Sequence, residues 1–311
     1  MDSRVMAFSR QKAISVTLHL RAALLDAMRY FFNSQGYLEV ETPIRIPAPA
    51  PEAHIDAQPS GPWYLHTSPE LCMKRLLAAG FPKIYQICKC FRQGERGRRH
   101  LPEMTMLEWY AAGCDYRHLM AQCEALIPHV AHALGLPSRI TYQGRTIDLS
   151  PPWERLSVDK AFRRHWDCSA TRALEEGRFD EVMGLQIEPE LGWERPVFLC
   201  DYPAACAALA RLKPDQPEVA ERFELYIGGL ELCNGFSELT DPGEQRRRFG
   251  AEIERRRAAG KAVYPLPEPF LDALGQMPAA AGNALGIDRL VMLLTDSDHI
   301  DPVVAFTPEE L

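Results

Sequence analysis

The strongest constraint on the fold of this chain is a pair of strand-like segments, residues 83–92 and 104–111, joined by a loop that is dense in arginine. Side chains along an extended strand point alternately to the two faces of a sheet. One parity of the second segment holds Met104, Met106, Glu108 and Tyr110, and the other holds Thr105, Leu107 and Trp109. The second set is apolar enough to pack on a core, so we expect the first set to line a pocket.

The remaining periodicity predicts an α+β fold in which a largely antiparallel sheet is flanked by helices. Helices are predicted over residues 15–33, 68–80, 243–260 and 290–294, strands over residues 37–41 and 223–239, and amphipathic helices with loops over residues 115–193. The helix at Ser68-Pro69-Glu70 is expected to be capped by the serine and to hold the proline in its first turn. No linker divides the chain, which predicts a single domain over residues 1–311.

The composition narrows the range of partners. With 35 basic and 42 acidic side chains the formal net charge is −7, whereas proteins that hold nucleic acid through its phosphates usually carry a basic excess. Nucleic acid is therefore not expected as the main partner. No apolar run reaches the roughly 18 residues that cross a bilayer, and the chain begins without an apolar signal core. We expect no membrane association and a cytoplasmic location.

The nine cysteines are scattered along the chain. Cys88 and Cys90 are separated by one residue, and the sequence has neither a C-x-x-C pair nor a paired Cys/His pattern. Zinc is therefore not indicated, and reduced thiols that mostly pack in the interior are the expectation.

A second polar segment spans residues 231–238. Asn234 and Glu238 share strand parity, whereas Glu231 has the opposite parity, so the two glutamates can face one ligand only across a β-bulge, for which Gly235 is the candidate. Two carboxylates beside a polyphosphate suit Mg²⁺, which binds a few carboxylates together with phosphate oxygens. Two glutamates on a strand are otherwise common on protein surfaces.

Two arginines complete the pattern. Arg92 ends the first strand-like segment, and Arg289 follows Gly286 at the start of an apolar helix. The guanidinium group can hold a phosphate through its planar fork, and neither a P-loop nor a Rossmann glycine motif is present. These features indicate ATP bound by arginines on a sheet. Arg92 would neutralise charge that develops on the α-phosphate when a carboxylate attacks it, and Arg289 would hold the pyrophosphate with Mg²⁺.

In this order the segments resemble the three signature motifs of class II aminoacyl-tRNA synthetases, and those of lysyl-tRNA synthetase in particular. Residues 39–43 resemble motif 1, residues 91–108 motif 2 and residues 284–289 motif 3, while residues 67–70 and 231–238 resemble lysine-pocket signatures. The resemblance covers residues 15–305. It implies the class II catalytic domain, an antiparallel sheet flanked by helices, and a homodimer that motif 1 helps to form.

Within that family the chain most resembles the short paralogues that ligate (R)-β-lysine to a lysine of translation elongation factor P. The likeness lies in residues 107–110, in residues 234–240 and in Ala284, where the synthetases usually have glycine. Only about fifteen residues precede the first predicted helix, so no N-terminal OB-fold for anticodon binding is expected and tRNA charging is improbable. The implied substrates are ATP, (R)-β-lysine or lysine, and elongation factor P, with Mg²⁺ as the metal.

The resemblance also implies site residues, with Arg92 and Arg289 as the catalytic pair. The residues implied for ATP are Arg92, Gln93, Gly94, Glu95, Leu101, Met104, Glu231, Leu232, Gly286 and Arg289. Those implied for the amino acid are Ser68, Pro69, Glu70, Glu108, Tyr110, Asn234, Glu238 and Ala284, and those for Mg²⁺ are Glu231 and Glu238. The methyl group of Ala284 is expected to bias the pocket toward a displaced amine.

Motif 2 departs from the family at several positions. Gly94 interrupts the usual Arg-Asn-Glu, and Leu101 and Met104 stand where an asparagine and a phenylalanine are usual. Methionine can still pack against an adenine ring, but leucine donates no hydrogen bond. Three alternatives stay open at this point: a ligase for another amino acid, a tRNA-charging enzyme, and a regulatory protein that keeps the fold without the chemistry.

Overall fold

A computed structural model describes residues 10–311, and the first nine residues lie outside it. Its centre is an eight-stranded sheet whose spatial order is β1-β5-β6-β13-β12-β11-β10-β9. In chain order these strands are β1 (Leu38–Glu39), β5 (Lys83–Phe91), β6 (Glu103–Ala112), β9 (Glu154–Ser157), β10 (Val197–Pro203), β11 (Val219–Ile227), β12 (Leu230–Ser237) and β13 (Ala280–Gly286). The two outermost pairings are parallel and the five between them are antiparallel, which confirms the predicted sheet.

Two smaller sheets and the helices surround this sheet. Strands β2 (Arg45–Ile46), β3 (Pro59–Ser60) and β4 (Trp63–Leu65) form one small sheet, and β7 (Arg139–Tyr142) and β8 (Arg145–Asp148) form a hairpin. The helices are α1 (Ser15–Ser34), α2 (Glu70–Ala78), α3 (Tyr116–Ala133), α4 (Val158–Trp166), α5 (Ala170–Glu175), α6 (Phe179–Val182), α7 (Pro242–Ala258), α8 (Glu268–Leu274) and α9 (Ile287–Leu294). Over residues 10–311, no helix combines the length and the apolar character that a membrane crossing needs.

The main core lies between one face of the sheet and helices α1, α3 and α9. Leu107 and Trp109 of β6 are fully buried in it, and the indole of Trp109 donates a 2.9 Å hydrogen bond to the buried amide of Gln122. The apolar parity of β6 therefore packs on the core, as the alternation predicts, and the other parity is free to build the opposite face.

The prediction for residues 115–193 is wrong in part. Helix α3 is present, but the hairpin β7–β8 and strand β9 follow it, and β10 was not predicted either. The hairpin turns at Gln143 and Gly144, which both have positive φ angles of 49° and 73°, as a two-residue hairpin loop of the primed type requires. A four-residue strand has too few alternations of polar and apolar side chains to be recognised from its periodicity. The Gln-Gly turn was therefore the sequence feature that could have indicated this hairpin.

The start of α2 also differs from the prediction. Pro69 occupies the N-cap position instead of the first turn, and no side chain caps the helix. Ser68 still contributes locally, since its hydroxyl accepts a 3.3 Å hydrogen bond from the amide of Glu70. Glu70 consequently begins the helix, and it lines the cavity described below.

Candidate active site

The open face of the sheet forms the floor of a cavity of about 330 Å³. Directly opposed residues of antiparallel strands place their side chains on the same face. One row across the floor is Asn234, Ala284, Glu108 and Gln86, and the next is Phe236, Gly282, Tyr110 and Ile84. The predicted pocket face of β6 is therefore confirmed, and Ala284 lies at its centre between Asn234 and Glu108.

Glycine at position 282 leaves room for the polar groups of this floor. A β-carbon there would come within 2.2 Å of the ring of Tyr110 and 2.5 Å of a carboxylate oxygen of Glu238. The hydroxyl of Tyr110 donates a 2.9 Å hydrogen bond to Glu108, and both side chains are buried. Burial, reinforced by the charge of Glu70, raises the pKa of Glu108 well above its usual range.

A β-bulge brings Glu231 onto the floor, but at a different position from the one predicted. The register steps from Tyr226 opposite Glu231 to Leu225 opposite Cys233, so Leu232 is the extra residue. Glu231 and Asn234 consequently share a face, as the predicted bulge required. Gly235 is instead a close-packing position, because a β-carbon there would lie 2.6 Å from the amide oxygen of Asn283.

Beneath one end of the cavity lies an acidic chamber formed by Glu70, Lys74 and Glu238, of which Glu70 lines the cavity. The ammonium group of Lys74 lies 2.5 Å from Glu70 and 2.6 Å from Glu238, and the Lys74 and Glu238 side chains are almost fully buried. Burial raises the pKa of Glu238 to about 8, although the charge of Lys74 acts in the opposite direction. Burial alone would lower the pKa of Lys74, but the charges of Glu238 and Glu70 raise it.

The chamber has more capacity for positive charge than Lys74 supplies. Oε1 of Glu238 is buried and has no hydrogen-bond partner within residues 10–311, and it lies beside Gly282 and Tyr110 on the cavity floor. A buried polar atom without a partner is costly. A ligand amine reaching this point would satisfy it, so the chamber fits the cationic end of a lysine-like amino acid.

The other end of the cavity carries the predicted arginines. The Nε atom of Arg92 is buried without a hydrogen-bond partner in the described part of the chain, and the nearest carboxylate, Glu95, lies 3.8 Å from its guanidinium group. Its charge is thus only loosely balanced, and the unsatisfied donor fits an anion such as a phosphate.

Arg289 is held more firmly. Its Nη1 donates to the backbone oxygen of Glu231 at 2.7 Å and to the Glu231 carboxylate at 3.0 Å. Its Nη2 lies 2.5 Å from Nε2 of His100. Burial, followed by the charge of Arg289, lowers the pKa of His100, so the neutral imidazole can accept this hydrogen bond. The sequence assigned no role to His100, which holds Arg289 at the cavity edge.

The structure contradicts the expectation that Glu231 and Glu238 share one metal ion. Glu231 lies near the start of β12 and Glu238 directly follows its end, so they are about 20 Å apart along the strand at roughly 3.3 Å per residue, and Glu238 is paired with Lys74. The acidic neighbour of Glu231 is Glu224 on β11, which also lines the cavity. Burial, together with the charge of Glu231, raises the pKa of Glu224.

The remaining predicted residues divide into two groups. Those that line the cavity with the residues above are Ser68, Leu101, Met104, Leu232 and Gly286. Gln93, Gly94, Pro69 and Glu238 lie outside its lining, although Glu238 pairs with Lys74 beneath it, and Glu95 contributes through Arg92. Gly94 has a φ of +78°, a backbone conformation that glycine adopts without strain.

Several lining residues were missed by the sequence reasoning. Glu52 belongs to the proline-rich loop, and burial, with the charge of Glu70, raises its pKa to about 7. Arg222 donates to Asn234 at 3.1 Å and to Glu224 at 2.6 Å, so it orients two polar groups of the floor. Both residues come from segments without a recognisable motif, and only strand parity on β11 could have indicated Arg222 and Glu224 together.

Comparison with known proteins places this geometry in a family. The profile of the family described as tRNA synthetases class II (D, K and N) matches residues 1–310. The chain is 42% identical over 308 residues to the elongation factor P–(R)-β-lysine ligase of Erwinia tasmaniensis, covering 92% of this chain and 93% of that protein. It is 42% identical over 306 residues to the protein of the same name from Vibrio cholerae, covering 93% and 94%.

A longer relative is also similar. The lysine–tRNA ligase of Moorella thermoacetica is 40% identical over 315 residues, which cover 92% of this chain and 64% of that protein. The family match, the order of the strands in the sheet and the cavity with its two arginines all point to the same family. The chain belongs to the class II tRNA synthetase family of the D, K and N type.

Proposed function

We propose that this protein uses ATP to activate (R)-β-lysine as an aminoacyl-adenylate and transfers the aminoacyl group to a lysine of elongation factor P. The observation that carries the proposal is the polarity of the cavity. A buried acidic chamber, where Oε1 of Glu238 lacks a partner among residues 10–311, lies beneath one end, and the loosely balanced Arg92 lies at the other. This order suits a molecule with a cationic end and a carboxylate that meets a phosphate. The names of the short relatives supply the amino acid and the protein target.

In the first half-reaction a carboxylate oxygen of the amino acid would form a bond to the α-phosphorus of ATP, and the bond from that phosphorus to the pyrophosphate oxygen would break. No general base is needed because the nucleophile is already ionised. Arg92 would stabilise the charge that grows on the α-phosphate, and Arg289 would hold the departing pyrophosphate. Such contacts lower the barrier because they strengthen in the transition state.

In the second half-reaction the neutral amine of the target lysine would attack the activated carbonyl carbon. An amide bond forms, the bond to the AMP oxygen breaks, and the amine loses a proton. Oxygen ligands near polyphosphate suit Mg²⁺, and Glu231 with Glu224 is the carboxylate pair that the fold brings to the cavity. Mg²⁺ bound there would neutralise phosphate charge.

Ala284 bears on the choice of amino acid. It is paired with Asn234 on one side and Glu108 on the other, so its methyl group projects from the centre of the floor, between groups assigned to the amino acid. Filling that space would disfavour a substrate whose amine occupies it and leave room for one whose amine is displaced by one carbon. This supports β-lysine over α-lysine.

The test is ATP–pyrophosphate exchange by the purified protein with (R)-β-lysine, with α-lysine and with no amino acid. Exchange that is fastest with β-lysine, followed by labelling of elongation factor P, is the expected result. No exchange with either isomer would refute the proposal. Fast exchange with α-lysine alone, followed by labelling of tRNA, would favour the second candidate, lysine–tRNA ligation, which the similarity to the Moorella protein supports.

We also propose that the protein acts in the cytoplasm as a homodimer, with residues 39–43 at the interface. Leu38 and Ile44, which flank that segment, are 49% and 41% exposed, so apolar surface is available there. All nine cysteines are free thiols, as is usual in a reducing compartment. Light scattering at several protein concentrations tests the dimer, and cell fractionation tests the location.

A further inference from the structure

Three donor groups meet beneath the wall of the cavity. An imidazole nitrogen of His66 and the Sγ atoms of Cys88 and Cys90 all lie within 4.8 Å of one another. Within residues 10–311, no other group of three histidine, cysteine or acidic side chains is placed in this way. The sequence did not indicate zinc, because His66 is far from the two cysteines along the chain.

The fold holds each donor in place. Cys88 and Cys90 are two residues apart on β5, so their side chains share one face of the strand. His66 follows β4, and its backbone is fixed on both sides: its amide donates to Ile44 at 2.8 Å and its carbonyl accepts from Phe91 at 3.0 Å. The cluster is therefore built from two anchored backbone segments.

The ring of His66 makes the kind of hydrogen bond that is common in metal-binding histidines. Its Nε2 lies 2.7 Å from the backbone oxygen of Lys89, and because a carbonyl oxygen only accepts, Nε2 must carry the proton. The neutral ring then presents the unprotonated Nδ1 as a donor. Histidines that bind metals typically donate their second ring N–H to a carbonyl or carboxylate in this manner.

The distances agree with a tetrahedral ion. The two Sγ atoms are 3.9 Å apart, and two thiolates at about 2.3 Å from one zinc ion are separated by about 3.8 Å in tetrahedral geometry. His66 and Cys90 are almost fully buried, whereas Cys88 is partly exposed. Thr67, which follows His66, and Met106, which is paired with Cys88 across the sheet, both line the cavity. The cluster therefore lies next to the cavity.

We propose that His66, Cys88 and Cys90 form a binding site for Zn²⁺, with the fourth coordination position directed toward the cavity. Imidazole nitrogen with two thiolates is a donor set that suits zinc. Binding converts the cysteine thiols to thiolates and releases their protons to solvent. The site is separate from the Mg²⁺ ligands discussed above, because sulfur donors do not suit that ion.

Zinc titration of the metal-free, fully reduced protein against a chromogenic chelator tests the site. We expect one ion per chain with a dissociation constant on the order of 10⁻⁷ M or tighter. Cobalt(II) in place of zinc should give an intense sulfur-to-cobalt charge-transfer band and the visible bands of a tetrahedral ion. Cys90→Ser and His66→Asn should each weaken zinc binding roughly 100-fold.

The matched control is Cys72→Ser, which alters another partly exposed thiol, on α2 and outside the cluster. It should bind zinc like the unmodified protein. Thermal unfolding of each metal-free variant shows whether it is folded. Equal zinc affinity in the Cys88→Ser/Cys90→Ser double variant, a cobalt spectrum of octahedral oxygen and nitrogen ligands, or binding of Cu⁺ without Zn²⁺ would each overturn the proposal.

Discussion

The two ends of the cavity differ in how far their charged side chains are exposed to solvent. At the phosphate end the side chains of Arg92 and Arg289 are 24% and 19% exposed, whereas at the amine end those of Lys74 and Glu238 are 1% exposed and fully buried, respectively. Arginine keeps its charge in almost any environment, so solvent can reach it without changing its function. Burial strengthens the interaction of a carboxylate with a ligand amine, and it also moves the pKa of the carboxylate into the physiological range. The phosphate end, which is the open end, therefore suits chemistry on phosphate. The amine end, which is the closed end, suits recognition of the amino acid.

This comparison predicts the largest kinetic effect at the open end. Arg92→Ala and Arg289→Ala should each lower the rate of adenylation by on the order of 10²- to 10³-fold, because each removes charge that stabilises the transition state. The KM for the amino acid should change little. Single-turnover adenylation and pyrophosphate exchange measure the two quantities.

The matched control for these variants is Arg98→Ala in the same loop. The Arg98 side chain is 72% exposed and pairs with Asp298 outside the cavity. The rate of adenylation by the Arg98→Ala variant should stay near that of the unmodified protein. A loss as large as that of Arg92→Ala would assign the effect to the loop as a whole.

At the closed end, Glu238→Gln should act on binding instead of on the chemical step. It removes the negative charge that Glu238 carries above its pKa of about 8, and hydrogen bonds to charged groups contribute about 1.5–3 kcal/mol, so at pH 9 the KM for the amino acid should rise roughly 10- to 100-fold. The kcat should stay within a few-fold. The control is Glu221→Gln. The Glu221 carboxylate lies 2.5 Å from the guanidinium group of Arg211, and neither residue lines the cavity. A fall in kcat with an unchanged KM would reverse the comparison.

The pH dependence should also separate the two ends. A Glu238 with a pKa of about 8 is protonated at pH 7 and ionised at pH 9, so its attraction for an ammonium group increases as pH rises. The KM for the amino acid should consequently fall about tenfold between pH 7 and pH 9, while the KM for ATP should not follow this curve. A flat amino-acid profile, or one that persists in Glu238→Gln, would remove this role from Glu238.

The smallest expected effect lies between the two ends, at Ala284. Ala284→Gly removes one methyl group from the floor, a change of about 1 kcal/mol in discrimination, so the ratio of kcat/KM for β-lysine over α-lysine should fall roughly fivefold. Stability should fall by about 0.5–1 kcal/mol, the usual cost of glycine inside a strand. An unchanged ratio would show that selectivity comes from the chamber itself.

Much of the floor could be predicted from strand parity. Alternation in residues 104–110 identified both faces of β6 correctly, because each side chain of a strand has only two directions available. The same rule required a bulge in β12, and a bulge is present at Leu232. Its position was predicted wrongly, because Gly235 is needed for close packing against Phe223 and Asn283 and not for the bulge.

By itself the sequence determined the order of the motifs, the strand parities and the two arginines that meet at the cavity. Only the tertiary structure decided that Lys74 stands between Glu70 and Glu238, that Glu224 is the acidic neighbour of Glu231, and that His66 meets Cys88 and Cys90. Local periodicity depends on neighbouring residues and can be read along the chain. Burial, pKa and metal-ligand geometry depend on segments that are distant in sequence, and these come together only when the sheet is assembled.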